Sequence, residues 1–369
     1  MKSFSSPKPT LLQANLHHQA GDFIRAEALF REILRAQPND PAALTGLART
    51  LQHQDQPEEA TAMFRRVVAL QPDLALAHLN LGVVLCESGK LEESVASFRR
   101  HAELTYKTEN QNGLPPYKIQ HDEEQLAYLK EQGIRGGADM FHIEEGSRVA
   151  GPAVNPDVSS GDISARWQNA NLQIAVIDDF LTPDALDKLQ RFCRGSTIWR
   201  KIYEAGYLGA MPEHGIGSPL LVQIAEELRE AYPAIFDAHP LRHFWGFKYD
   251  SNLSGVVVHA DFAAVNVNFW ITPDEANLDP ETGGLIIWDK PAPMDWDFSK
   301  YNDDVASARD FLARTGAKPT TIPYRCNRAV IFDADLFHET DRIAFKEGYP
   351  NRRINITLLY GRRETGSGL

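Results

Sequence analysis

Three cysteines in 369 residues are few, and Cys86, Cys193 and Cys326 stand far apart with no CxxC pair among them. That spacing argues against a disulfide framework and against a thiolate zinc site. Long apolar runs are also missing, since none approaches the roughly 18 residues of a membrane span. The opening stretch, MKSFSSPKPTLLQANLHHQ, has no apolar centre of the kind a secretory signal needs. Positive charge is in deficit: 38 lysines and arginines face 50 aspartates and glutamates, a formal net charge of −12. Neither nucleic acid nor anionic membrane attracts so acidic a chain, so neither is expected as a partner. Together these absences predict a reduced, cytoplasmic protein of ordinary globular balance, 43% hydrophobic and 24% charged.

What is present first is a repeat. Phe30, Phe64 and Phe98 are spaced 34 residues apart, and so are Ala26, Ala60 and Ser94. In the third copy Leu81, Gly82 and Leu85 fall on one helix, Gly89 marks a turn, and Phe98 lies on a second helix. This resembles the tetratricopeptide repeat, in which small residues let paired helices pack closely. Three repeats are expected over residues 7–40, 41–74 and 75–108. The helical segment HDEEQLAYLKEQG that follows reads as a cap, within a capping and linker region over 109–170. Repeat position puts Asn15, His18, Arg49, Gln52, Val83 and Cys86 on a concave groove. Two readings of that groove stand: a surface for a protein or peptide partner, or a spacer and self-association surface.

From about Gly133 to Trp167, Gly, Ser and Pro punctuate the chain and no period survives, as in a linker or an extended wrap. Beyond Leu172 the pattern changes to short strands. They are expected at 244–249, 255–261, 264–271, 284–288, 329–333 and 353–360, with a helix near 304–315. Thr182 and Pro183 mark an earlier helix start. Many short strands after a few helices predict a barrel or jelly roll covered by helices.

The polar residues among these strands carry the chemistry. His259 and Asp261 are i and i+2 on an expected strand, so their side chains leave one face about 6–7 Å apart. His338, in AVIFDADLFHETD, follows a strong β run 79 residues downstream. Two histidines and one carboxylate form the facial set of non-haem iron(II) oxygenases, with positions left open for substrate and oxygen. An HxD alone is weak evidence, because a lone histidine is more often structural. Order and context raise it.

At residues 172–363 the chain resembles the iron(II)/2-oxoglutarate-dependent oxygenases, most closely the prolyl-hydroxylase-like branch with its double-stranded β-helix. The family's parts occur here in order as VHADF, GGLIIW, FDADLFHETD and NRRINITLLYG. The resemblance implies Fe(II) held by His259, Asp261 and His338, 2-oxoglutarate as co-substrate, O2, and hydroxylation with release of succinate. Related halogenases replace the carboxylate ligand by a small residue, and Asp261 argues against that outcome. The branch also implies a basic anchor for the distal carboxylate of 2-oxoglutarate. Arg353 and Thr357 are four apart on one strand face, where an arginine fork suits a carboxylate. Arg352 competes from the opposite face, among Ile354, Ile356 and Leu358. Tyr249 stands where the branch commonly has a co-substrate-binding tyrosine; plain strand packing is the other reading.

Three points stay open in the sequence. Asn266, Asn268 and Trp270 share a strand face that points either into the barrel, towards co-substrate and substrate, or to solvent. Trp296, Phe298 and Tyr301, in the insertion 291–323, form either a substrate lid or the anchor of a surface helix. The expected function is hydroxylation of a protein or peptide recruited by the repeats. A small-molecule hydroxylase using the repeats for assembly is the alternative, and a non-catalytic scaffold with a relic barrel is a third.

Overall fold

The computed structural model describes residues 10–107, 113–137, 140–158, 160–169 and 172–363. Parts of the expected organisation, residues 7–9, 108–112 and 170–171, lie outside them. The chain forms two compact units, one through Tyr106 and one from Lys107.

The first unit is three helix pairs: α1 (Leu11–Gln19) with α2 (Phe23–Ala36), α3 (Pro41–His53) with α4 (Pro57–Leu70), and α5 (Ala75–Glu87) with α6 (Leu91–Tyr106). Local signals set the starts. Thr10 and Gln13 make a reciprocal capping box on α1, and Asp40 caps α3 ahead of Pro41. The 34-residue interval is a packing interval. Phe30 and Phe64 are fully buried and Phe98 nearly so, against buried small residues such as Ala14, Ala48 and Ala60. A Cβ on Gly82 would sit 2.8 Å from the Phe98 ring, so only glycine lets α5 and α6 approach this closely. Burying each such ring contributes about 1.5–3 kcal/mol.

Of the residues expected on the groove, Asn15, Arg49 and Val83 are exposed. His18 is half-buried, with its Nδ1 3.0 Å from the Thr50 hydroxyl, and Gln52 donates to Glu87 at 3.0 Å. Cys86 corrects the expectation, because it is buried between the helices.

The second unit opens with α7 (Pro116–Glu131), α8 (Ser160–Asn169), β1 (Ile174–Ile177), α9 (Pro183–Gly195), β2 (Lys201–Ile202) and β3 (Leu208–Ala210). Then come α10 (Pro219–Ala231), α11 (Pro233–Phe236), β4 (Leu241–Tyr249), β5 (Asn252–Leu253), β6 (Val265–Trp270) and β7 (Leu285–Pro291). It closes with α12 (Val305–Arg314), β8 (Pro319–Ile322), β9 (Ala329–Asp333), β10 (Leu336–Thr340), β11 (Ile343–Ala344) and β12 (Arg353–Tyr360). A seven-stranded sheet runs β1-β9-β6-β12-β4-β3-β2. It faces a three-stranded sheet, β10-β7-β8, and the pair β11-β5, with every pairing antiparallel. This is the jelly-roll arrangement of a double-stranded β-helix. Helices cover the large sheet: the Tyr360 hydroxyl donates to the Ala225 carbonyl on α10, and Gln190 of α9 donates to Ile271 O. β6 and β12 are therefore buried on both faces, and one face can be polar without meeting bulk water.

Several expectations are corrected here. The helix read as a cap, α7, belongs to the second unit, where Gln125 donates to the carbonyls of Arg194 and Ser196. Of the two readings of the irregular stretch, linker or extended wrap, the wrap describes it: Val149 N donates to Gln223 and Val154 N to Glu227, both on α10. It also contains α8, where Ile163 and Trp167, one helical turn apart, are the buried hydrophobic residues among those described. Thr182 stands at the N-terminus of α9, but its hydroxyl donates to Pro152 O instead of capping.

Candidate metal centre and cavity

The strand expected at 255–261 is not a regular strand. Its backbone is divided among four partners: Thr340 N donates to Val256 O, His259 exchanges hydrogen bonds with His338 at 3.0 and 2.8 Å, Ala260 N donates to Tyr301 O, and Asp261 N donates to Ala334 O. This divided pairing brings the two histidines opposite each other, with ring centroids 4.3 Å apart. One ligand atom from each of His259, Asp261 and His338 lies within 4.8 Å of the others. Nε2 of His338 is 3.4 Å from the Asp261 carboxylate and Nε2 of His259 is 3.9 Å from it.

Both imidazoles are oriented in the same way. Nδ1 of His259 faces Val257 O at 2.8 Å, and Nδ1 of His338 faces Leu336 O at 3.0 Å. A proton on each Nδ1 satisfies those carbonyls and leaves each Nε2 lone pair for a metal. Burial, then the neighbouring His259, pull the His338 pKa down to about 4, which keeps its imidazole neutral at physiological pH. The third group is held as well: Asn266 Nδ2 donates to Asp261 Oδ2 at 2.6 Å. Two imidazole nitrogens and one carboxylate brought together in this way suit a divalent transition metal.

The cluster borders a cavity of about 340 Å³. Its floor is the inner face of β12 and its neighbours. In the ladder Arg353 pairs with Tyr249, Asn355 with Phe247 and Trp270, and Thr357 with Trp245 and Asn268. Asn266 and Asn268 both line the cavity and both are buried, which removes the solvent-facing alternative. Asn268 Nδ2 donates to Thr357 Oγ1 at 3.1 Å.

The two arginines differ sharply in their partners. Arg352 is paired with Glu124 of α7 at 2.9 Å and with Asp250 at 3.5 Å. Arg353 is 1% exposed, and no carboxylate among the described residues lies within ion-pair distance of it. Its Nε donates to Gly283 O at 2.7 Å and its Nη1 to Asn355 Oδ1 at 3.1 Å. The guanidinium lies over Tyr249, Trp270 and Tyr324, 4.9, 5.7 and 6.0 Å from their ring centroids. Burial lowers its pKa from the usual arginine value. Burial raises the Tyr249 pKa, and the neighbouring Arg353 and Thr340 oppose that rise. A buried cation among rings, beside a cavity with hydroxyl and amide groups, is suited to an anion that brings its own charge.

The three residues expected at the substrate do not line the cavity. Trp270 is wholly buried behind Arg353 and against Tyr324, so it supports the cation. Trp296 packs on Phe311 and Phe337, which anchors α12 to β10. Tyr301 covers the Arg363 guanidinium at 4.2 Å. The insertion still reaches the cavity through Asn302, whose Nδ2 donates to Ala260 O. Sequence reasoning also missed Trp245, Phe247 and Asn355. Period two would have found them, since Trp245, Phe247 and Tyr249 share a face of β4 as Arg353, Asn355 and Thr357 share one of β12. Tyr203 and Tyr207 flank a tight turn and gave no periodic signal.

Among the described residues no helix is long and apolar enough to cross a membrane. No curated protein matches the chain at a significant level. Among solved structures, a non-heme alpha ketoglutarate dependent epimerase, SnoN from nogalamycin biosynthesis, aligns at 12% identity. That alignment covers 57% of this chain and 87% of the other, with a TM-score of 0.42. The first tetratricopeptide domain of Spaghetti (RPAP3), bound to an HSP90 peptide, aligns at 20% identity over 28% of this chain and 85% of that one, TM-score 0.25. MamA from Desulfovibrio magneticus RS-1, residues 41 to the end, aligns at 22% identity over 34% and 67% of the two chains, TM-score 0.26. The family model for the tetratricopeptide repeat matches residues 17–78, so the first unit carries tetratricopeptide repeats.

Proposed function

We propose that the second unit is an iron(II)- and 2-oxoglutarate-dependent hydroxylase, and that the repeats recruit a protein or peptide substrate to it. The balanced reaction is substrate C–H plus 2-oxoglutarate plus O2, giving substrate C–OH, succinate and CO2. The observation that carries the reading is the His259–Asp261–His338 cluster, both imidazoles turned by their Nδ1 contacts, on one cavity with Tyr249 and Thr357.

In this reading His259 and His338 hold iron(II) through Nε2 and Asp261 through its carboxylate. The metal supplies oxygen activation driven by the oxidative decarboxylation of 2-oxoglutarate. Asn266 steadies Asp261 by donating one hydrogen bond, which keeps the carboxylate aimed at the shared point. Arg353 neutralises the distal carboxylate of 2-oxoglutarate, and Tyr249, Thr357 and Asn355 offer it hydroxyl and amide groups. Asn268 holds Thr357 in place. The rings of Tyr207, Phe247 and Trp245 keep water from this charged end, which strengthens each electrostatic contact there.

The test is anaerobic addition of iron(II) and 2-oxoglutarate to the full chain, followed by O2. A metal-to-ligand charge-transfer band and then succinate release are expected, both lost in His259→Ala. Folded wild-type protein that shows neither, and does not differ from His259→Ala, would falsify the proposal. A protein pulled down by the repeats and found heavier by one oxygen atom would supply the substrate half of the claim; turnover of metabolites alone would assign the repeats to assembly.

A further inference from the structure

One wall of the cavity carries a ladder of rings that runs from the buried floor to the surface. Tyr249 stacks on Tyr207 with centroids 5.0 Å apart, and Tyr207 meets the edge of Phe247 at 5.5 Å. The series continues through Phe247–Trp245 at 6.4 Å, Trp245–Phe262 at 6.5 Å and Phe262–Phe298 at 5.8 Å. Tyr203 widens the wall by stacking on Tyr207 at 4.4 Å. Beyond the cavity lining the series ends on Phe298, 47% exposed, and Val257 of the lining is 52% exposed. A largely apolar, ring-lined cavity with a few polar groups is the form a small-molecule or side-chain site takes.

Charge is missing from the same wall. Among the residues lining the cavity there is no lysine, arginine or glutamate, and the one carboxylate is Asp261, which is engaged with Asn266 and the histidines. With Arg353 taken up by the co-substrate, a further charged group lying along this wall would lose its hydration and find no counter-ion among the lining residues. A flat apolar ring would gain edge and face contacts with these rings beyond its burial.

We infer that the group oxidised at this site is carried by a neutral, ring-bearing substrate that lies along Tyr207, Phe247, Trp245 and Phe262, and that ammonium- or carboxylate-bearing groups are rejected. This rests on the proposed hydroxylase reading for its chemistry, but the ring selectivity is measurable without turnover. The same chemistry has two sources, a free aromatic molecule or an aromatic side chain of a polypeptide.

The experiment uses the full chain, anaerobic, with iron(II) and 2-oxoglutarate, and reads dissociation constants by calorimetry and ligand-observed NMR. The probes are 3-methylindole and toluene as neutral rings, benzoate and benzylammonium as charged rings, and N-acetyltryptophanamide and N-acetyllysinamide as side-chain models. Neutral rings are expected to bind at least tenfold more tightly than charged ones, with a tenfold or greater loss in both Trp245→Ala and Phe247→Ala. Equal binding of charged and neutral probes overturns the inference. So does unchanged affinity in both variants, each checked for wild-type folding by circular dichroism. Tighter binding of N-acetyltryptophanamide than of 3-methylindole assigns the polypeptide source, and the reverse assigns the free molecule. The charge-transfer band, read in the same wild-type samples, separates the two claims: a missing band with intact ring selectivity overturns the hydroxylase reading and leaves this one standing.

Discussion

Arg353 donates a 2.7 Å hydrogen bond from Nε to the carbonyl of Gly283, a residue 70 positions earlier, just before β7. That bond fixes the guanidinium plane while Nη1 donates to Asn355, which lines the cavity. Arg352, one residue away, is held by Glu124 of α7. The neighbouring arginines are therefore expected to separate cleanly. Arg353→Gln should weaken 2-oxoglutarate binding by one to two orders of magnitude, the range for losing charge-assisted hydrogen bonds. Arg352→Gln should leave that affinity within threefold and lower the thermal midpoint instead, because it strands Glu124. Equal losses of affinity in the two variants would remove Arg353 from the role given to it.

Gly284 explains why two glycines stand together before β7. A Cβ on it would lie 1.9 Å from Ile322 O and 2.8 Å from the backbone of Pro323 and Tyr324. Backbone cannot move aside as a side-chain tip can. Gly283 adds a φ of +82°, where an L side chain is strained. Gly284→Ala should therefore cost at least the roughly 1–3 kcal/mol of overpacking, read as a lower urea midpoint. Gly151→Ala, at a position with open space around it, is the control and should change little.

Much of this architecture was legible in the sequence because it is periodic. The 34-residue interval marks Phe30, Phe64 and Phe98, and β9 and β12 occur where their apolar runs place them. The ligand set was legible because HxD and a later histidine share a β context. What hid from sequence was whatever depends on a partner far away. The segment holding His259 is no regular strand, because His338, Tyr301 and Ala334 divide its hydrogen bonds. Arg352 and Arg353 were not separable, because Glu124 lies 228 residues away. Trp270 looked like a substrate contact until Arg353 and Tyr324 were seen to lie against it.

Asn266 reaches the metal set through a single 2.6 Å bond to Asp261. Replacing it by leucine keeps the volume roughly constant and removes the donor. Metal affinity should fall about 10–100-fold, as it does when groups supporting metal ligands are lost. Competition with a coloured iron(II) chelator measures this directly. Asn266→Asp should do worse than leucine, since it sets a second carboxylate against Asp261. An affinity within twofold of wild type in both variants would show that Asp261 needs no such support.

Lys248 gives the pH dependence. It is 2% exposed on the helix-covered face of β4, and its Nζ lies 4.6 and 4.3 Å from the ring centroids of Trp199 and Tyr349. It donates to the Tyr349 hydroxyl at 2.9 Å, and no carboxylate among the described residues is within ion-pair distance. The groups around it are His121, Cys193, Asp122, Arg194 and Arg352. Burial pulls the Lys248 pKa well below its ordinary value of 10.5, and burial likewise lifts the Cys193 thiol to about 12, so the thiol stays neutral. The unfolded chain then binds a proton that the folded chain does not. Stability must rise with pH between the lowered folded pKa and 10.5, by up to about 1.4 kcal/mol per pH unit, and must fall as pH drops through that window. Lys248→Met fills a similar volume without the charge. Its unfolding free energy from urea titrations should show a flatter pH profile than wild type, with the largest relative gain at the low-pH end of the window. Parallel profiles would mean that the two rings hold Lys248 as a cation after all.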